Sequence, residues 1–142
     1  MISRTLLIAA RPFGGRPGAE RVAGAIAEGL LDGGWKVDPL PLADESESAA
    51  IALVRSPEFD ARMRAARAVV IAEPRLDERT LAGTVAFEIA TRARQGGVPA
   101  YAVTGEDALN SFDARILDLQ TILQARTHRS LVNAGRKLAA VV

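Results

Sequence analysis

The sequence predicts an α/β fold: one domain over residues 1–142, three layers deep, with a five-stranded, mostly parallel sheet between helices. Three observations lead there. Short, unbroken apolar runs recur at Thr5–Ala10, Ala68–Ala72 and Pro99–Val103, as in strands covered on both faces. Segments with apolar residues at helical spacing alternate with them. Gly-Gly pairs at Gly33-Gly34 and Gly96-Gly97 close two of those segments, as glycine does at helix ends.

Each element can be justified in turn. Thr5–Ala10 is the first strand, and Arg11–Gly18, with three glycines and two prolines, is a loop. Val22, Ile26 and Leu30 recur every four residues, with Ala23 and Ala27 beside them, so Ala19–Leu31 is an amphipathic helix. Lys36–Leu42 is a more polar second strand, and Pro39 and Pro41 suit a sheet edge. Asp44–Ser48 is an acidic loop, in which Asp44 and Glu47 fit a capping box. A short helix follows over Ala49–Arg55. Ser56-Pro57-Glu58 starts another, with Phe59 and Met63 on one side. Ala68–Ala72 is the third strand. Leu81, Val85 and Ile89 form the stripe of the next helix, and Pro99–Val103 is the fourth strand. Asn110 and Ser111 cap a short helix running to Leu119, and Thr121–Ala125 is the fifth strand. Leu131, Ala134, Leu138 and Val141 mark the last helix. Right-handed crossovers then dictate a parallel sheet with helices on both faces. With the first strand central, the order is 2-1-3-4-5, a Rossmann- or flavodoxin-like arrangement.

Composition excludes several classes of function. At 142 residues with 49% apolar content, the chain can bury about two-thirds of its unfolded surface. The formal net charge is +1, and 18 basic residues are matched by 17 acidic ones without a basic run, which argues against nucleic acid as a partner. There is no cysteine and a single histidine, His128, so no disulfide frame and no zinc or iron site is expected. His128 and Trp35 read as surface and packing residues. No apolar run approaches the ~20 residues of a membrane span, and the first run is too short for a signal peptide; we expect a cytoplasmic protein that does not act at a membrane. Only two of the 18 basic residues, Lys36 and Lys137, are lysines, a bias typical of GC-rich bacterial genomes.

Three loops follow the carboxyl ends of strands one to three and converge at the edge where such sheets hold ligands. The glycines of Arg11–Gly18 could let backbone N–H groups meet an anion, or could form a plain turn. The carboxylates of the Asp44 loop could hold Mg²⁺ through waters and a phosphate, or could simply favour a helix N-terminus. In Glu73–Thr80, Asp77 is three residues before Thr80 and reads as an N-cap. Glu73 and Arg75 could pair at a pocket mouth and orient an acidic substrate, or form a structural ion pair.

With these loops in place, the chain resembles the bacterial glycerate kinases that phosphorylate the 2-position of glycerate. Ala19-Glu20-Arg21-Val22-Ala23-Gly24-Ala25-Ile26-Ala27-Glu28-Gly29-Leu30 is similar to that family's first helix. Pro41-Leu42-Ala43-Asp44-Glu45-Ser46-Glu47-Ser48 stands where the family has Pro-Met-Ala-Asp-Gly-Gly-Glu-Gly. Ala72-Glu73-Pro74-Arg75-Leu76-Asp77-Glu78-Arg79-Thr80-Leu81-Ala82-Gly83-Thr84 resembles Gly-Glu-Gly-Arg-Leu-Asp-x-Gln-Thr-Leu-x-Gly-Lys. The resemblance implies ATP and Mg²⁺ as cofactors, Glu73 and Asp77 as catalytic candidates, and a substrate site of Arg11, Asp44, Glu73, Arg75, Asp77 and Thr80.

The departures weigh against that chemistry. The family's loop Asp and Lys fall at Arg11 and Gly14, its Gly-Gly pair at Glu45 and Ser46, and its terminal Lys at Thr84. Phosphoryl transfer depends on positive charge and positioning around the phosphates. The family also inserts a second lobe between the Asp44-type and Glu73-type motifs, where this chain has only Ala49–Arg67. We therefore expect the Rossmann-like lobe alone. It would be a degenerate kinase, a module binding a small carboxylate, a phosphorylated metabolite or a protein partner. A homodimer is expected through the Phe59/Met63 segment. The alternative is a working phosphotransferase using Glu73, Asp44 and Asp77 on Mg²⁺.

Overall fold

The computed structural model describes residues 3–42 and 46–142. The elements run β1 (Thr5–Ala10), α1 (Ala19–Asp32), β2 (Lys36–Pro41), α2 (Glu47–Val54), α3 (Pro57–Ala65), β3 (Ala68–Leu76), a 3-10 turn (Glu78–Leu81), α4 (Val85–Gln95), β4 (Ala100–Asp107), α5 (Ser111–Leu117), β5 (Leu119–Gln124) and α6 (His128–Val141). The sheet has the order β2-β1-β3-β4-β5 with every neighbouring pair parallel, as the sequence predicts.

Alternation along the strands builds two cores. Leu6, Ile8, Ala10, Val70, Ala72, Tyr101 and Val103 point to one face and pack beneath α1 and α6. Leu7, Ala9, Val69, Ile71, Ala100 and Ala102 point to the other, beneath the remaining helices. On the first face, α1 and α6 meet backbone to backbone. A Cβ on Gly29 would lie 2.1 Å from the Val132 carbonyl oxygen, and one on Gly135 would lie 2.3 Å from that of Ile26. Only glycine permits so close a crossing.

Four details differ from the sequence reading. First, Phe59 and Met63 are 2% and 1% exposed and fill the second core. The face expected to seat another copy is therefore interior, because α3 lays its apolar side on the sheet. Second, β3 runs past Ala72 to Leu76, since Arg75 and Leu76 pair with Glu106 and Asp107 of β4. Pro74 is tolerated because β1 pairing ends at Ala72, leaving a free strand side there. Third, the stripe Leu81–Val85–Ile89 is split. Gly83 adopts φ +87°, and Thr84 starts α4 afresh by accepting the Phe87 N–H. Fourth, α2 is capped by Ser46, which accepts from Ala49 N–H; the Asp44 of the expected capping box lies outside the described residues.

Trp35 is a packing residue, as expected. Its Nε1–H donates to the Ala139 carbonyl at 3.0 Å, and Arg4 lies over its ring, 4.7 Å from the centroid. No helix among the described residues is long and apolar enough to cross a membrane.

Candidate functional site

The carboxyl ends of β1 and β3 gather the first group of side chains. Arg11 follows β1 and is largely covered. Its backbone N–H donates to Ala72 O, and one guanidinium nitrogen donates to Leu42 O at 2.8 Å. The other guanidinium nitrogen lies 3.7 Å from Glu47 Oε2. The second oxygen of Glu47 accepts the Val85 N–H at 2.7 Å, tying the start of α2 to the start of α4.

Glu73 completes this corner from β3. The residue is partly exposed, but its Oε1 is sealed from solvent without a hydrogen-bond partner. Burial, reinforced by the Glu47 charge and opposed by Arg11, raises its pKa to about 8. This shift favours the protonated carboxylic acid near neutral pH. Desolvation disfavours the ionised form more than a single nearby guanidinium favours it.

Arg75 does not pair with Glu73. Its Nε donates to Asp77 Oδ2 at 2.8 Å, and a terminal nitrogen makes a short contact with Glu106. Strand register explains the choice, because Glu106 is the residue directly beside Arg75 on β4. The two carboxylates hold the Arg75 guanidinium above its usual range, and the guanidinium holds Asp77 below the usual carboxylate range.

Asp77 and Thr80 cap the 3-10 turn reciprocally. Asp77 Oδ1 accepts the Arg79 N–H, while Thr80 Oγ1 accepts the Asp77 N–H. Thr80 is 4% exposed. The N-cap reading of Asp77 holds, on a tighter turn than the expected helix. Of the six residues in the expected site, Arg11 and Glu73 share one corner with Glu47, and Arg75, Asp77 and Thr80 form a second, self-contained group. Asp44 lies outside the described residues. No group of three or more His, Asp or Glu side chains suited to a metal occurs among those residues.

A different part of the same edge is open. The loops after β1 and β5 bound a cavity of about 440 Å³ between the starts of α1 and α6, lined by Arg16, Arg21, Arg126 and His128 over Pro17 and Leu131. A smaller hollow of about 320 Å³ shares Arg16 and Arg126 and reaches Phe13 and Pro74. Reading the sequence missed Arg21 and Arg126. The available signal was the loop Arg126-Thr127-His128-Arg129, which leaves a parallel strand at the edge where ligands gather.

The glycerate kinase family model matches residues 45–140, more than half of the chain. The chain belongs to the glycerate kinase family. No curated protein matches it. Solved structures of similar fold include a de novo designed Rossmann 2x3 protein, at 8% identity and a TM-score of 0.58, over 99% of this chain and 91% of that one. An oxidoreductase from Corynebacterium diphtheriae matches at 9% identity and a TM-score of 0.56, over 100% and 98%. A diflavin flavoprotein from Nostoc sp. matches at 17% identity and a TM-score of 0.51, over 99% and 94%. At these identities the likeness concerns the fold alone.

Proposed function

We propose that this glycerate-kinase-family domain binds a small anionic metabolite and does not transfer phosphate. One observation carries the reading: Arg75, the cation between Glu73 and Thr80 that the resemblance points to, is already held by the two carboxylates Asp77 and Glu106. Asp77 and Thr80 cap each other's turn, and Glu73, with its Oε1 sealed, has a pKa raised to about 8. A phosphoryl group in flight requires concentrated positive charge and Mg²⁺ held by ionised carboxylates. The sequence supports the same reading, since Gly14 and Thr84 stand where the family resemblance leads one to expect lysines. Between the two motifs lie only α2 and α3, too little chain for the lobe that the resemblance implies would close the cleft.

The phosphotransferase reading, with ATP and Mg²⁺, is favoured by a single feature. A carboxyl with a pKa of about 8 is poised for proton transfer near neutrality. Against it, one of its two carboxyl oxygens, Oε1, is sealed from solvent, and the nearby Arg75 is already paired. A coupled ADP-release assay with D-glycerate, ATP and Mg²⁺ separates the two. We expect no turnover above background; turnover abolished by Glu73→Ala or Asp77→Ala would overturn the binding reading.

A further inference from the structure

We propose that the cavity between the starts of α1 and α6 is a binding site for a phosphomonoester with a small apolar body, gripped by Arg16, Arg21 and Arg126. This deepens the binding reading above and rests on it. The site is a place in the fold distinct from the Glu73 corner, on the opposite face of the sheet.

The argument begins with charge. Arg16, Arg21, Arg126 and His128 line one concavity of about 440 Å³, and no acidic residue lines it. Two acids stand outside it: Glu106, which pairs with Arg126 at 3.7 Å, and Glu28, 3.9 Å from His128. Arg16 and Arg21 have no ion-pair partner among the described residues. Arg55, Arg62 and Arg136, by contrast, are paired with Glu88, Asp38 and Asp32. Three forks around one hollow exceed what a carboxylate's two oxygens require and suit the three terminal oxygens of a phosphate.

Geometry adds to charge. Arg126 is held in place, since its Nε–H donates to the Gly105 carbonyl at 2.7 Å. The glycine crossing sets how closely α1 and α6 pack. Pro17 supplies apolar wall, and Leu131, fully buried, lies beneath the surface there. The volume falls within the ~300–1,000 Å³ of small-ligand pockets, larger than an inorganic anion fills. Gly18, the N-cap of α1, has no side chain to cap the first-turn N–H groups, whereas Thr127 caps α6.

Isothermal titration at constant ionic strength tests the site, with phenyl phosphate, inorganic phosphate and benzoate as probes on the full chain. We expect saturable binding of phenyl phosphate, about fivefold or more tighter than inorganic phosphate, and weaker binding of benzoate. Arg16 and Arg21 are exposed, so their variants should fold. Arg16→Ala and Arg21→Ala should each weaken phenyl phosphate about tenfold, with Arg21→Lys intermediate. Benzoate binding as tightly as phenyl phosphate, alanine variants binding like the parent, or no saturation of the parent by about 10 mM would each overturn the proposal. The glycerate assay on the same samples keeps the two ideas apart. Turnover with intact phenyl phosphate binding removes the binding-only reading and leaves the groove. Absent turnover with absent phenyl phosphate binding removes the groove and leaves that reading.

Discussion

At one corner of the sheet edge, among the described residues, Arg11 faces two glutamates, Glu47 and Glu73, and Glu73 has a sealed Oε1 and a pKa raised to about 8. At the other corner, Arg16, Arg21 and Arg126 surround an open hollow with no carboxylate in its wall. The two lie at the ends of parallel strands, where the fold itself presents loops, yet their physics is opposite. The first places two acids beside one arginine, and burial raises the pKa of one of them. The second leaves an excess of cation to solvent, which costs little in water and attracts anions. The contrast teaches that the position of a family motif and the position of available charge need not coincide.

The largest effect expected at either corner is on pH-dependent stability. Native Glu73 holds its proton up to about pH 8, while the unfolded chain loses it near 4.5. Between those values the native state binds more protons, so the stability this group provides is complete below about 4.5 and is lost as pH rises to about 8. The loss is on the order of 5 kcal/mol. Urea unfolding from about pH 5 to about pH 9 should show Glu73→Gln gaining steadily on the parent. A parallel pair of curves would mean that the corner is not sealed.

The next largest effect concerns what holds the open corner. Gly135→Val would drive a side chain into the Ile26 carbonyl and should cost about 3 kcal/mol. It should also lower phenyl phosphate affinity, because α6 carries Leu131 and His128. Full affinity in a variant that unfolds early would detach the groove from the crossing. Smaller still, Asp77→Ala removes one cap and should cost about 1 kcal/mol in thermal or urea unfolding, with phenyl phosphate affinity unchanged. A large drop in affinity would move the anion site back to the motif.

The strands and the caps at Ser56 and Asn110 could be read in the sequence because they depend on neighbours a few residues away: each cap accepts an N–H three residues on. The parallel order followed from the handedness of the crossovers, whereas the caps at Thr84 and Thr127 were not read. The partner of Arg75 could not be read, since Glu106 is reached only through strand register 31 residues later. The extension of β3 through Glu73-Pro74-Arg75 was hidden for the same reason: its local composition is that of a loop, and pairing with β4 overrides it. Burial of Phe59 and Met63 showed in their spacing, but not the direction in which α3 faces. The groove depends on α1 and α6, which lie at opposite ends of the chain and meet at two glycines.

An amide chemical-shift map recorded with phenyl phosphate tests most directly which corner binds. The largest changes should fall at Gly18, Arg21, Thr127 and His128, with Glu47, Glu73 and Val85 unmoved. Changes concentrated at Glu47, Glu73 and Val85, with the groove silent, would contradict the account.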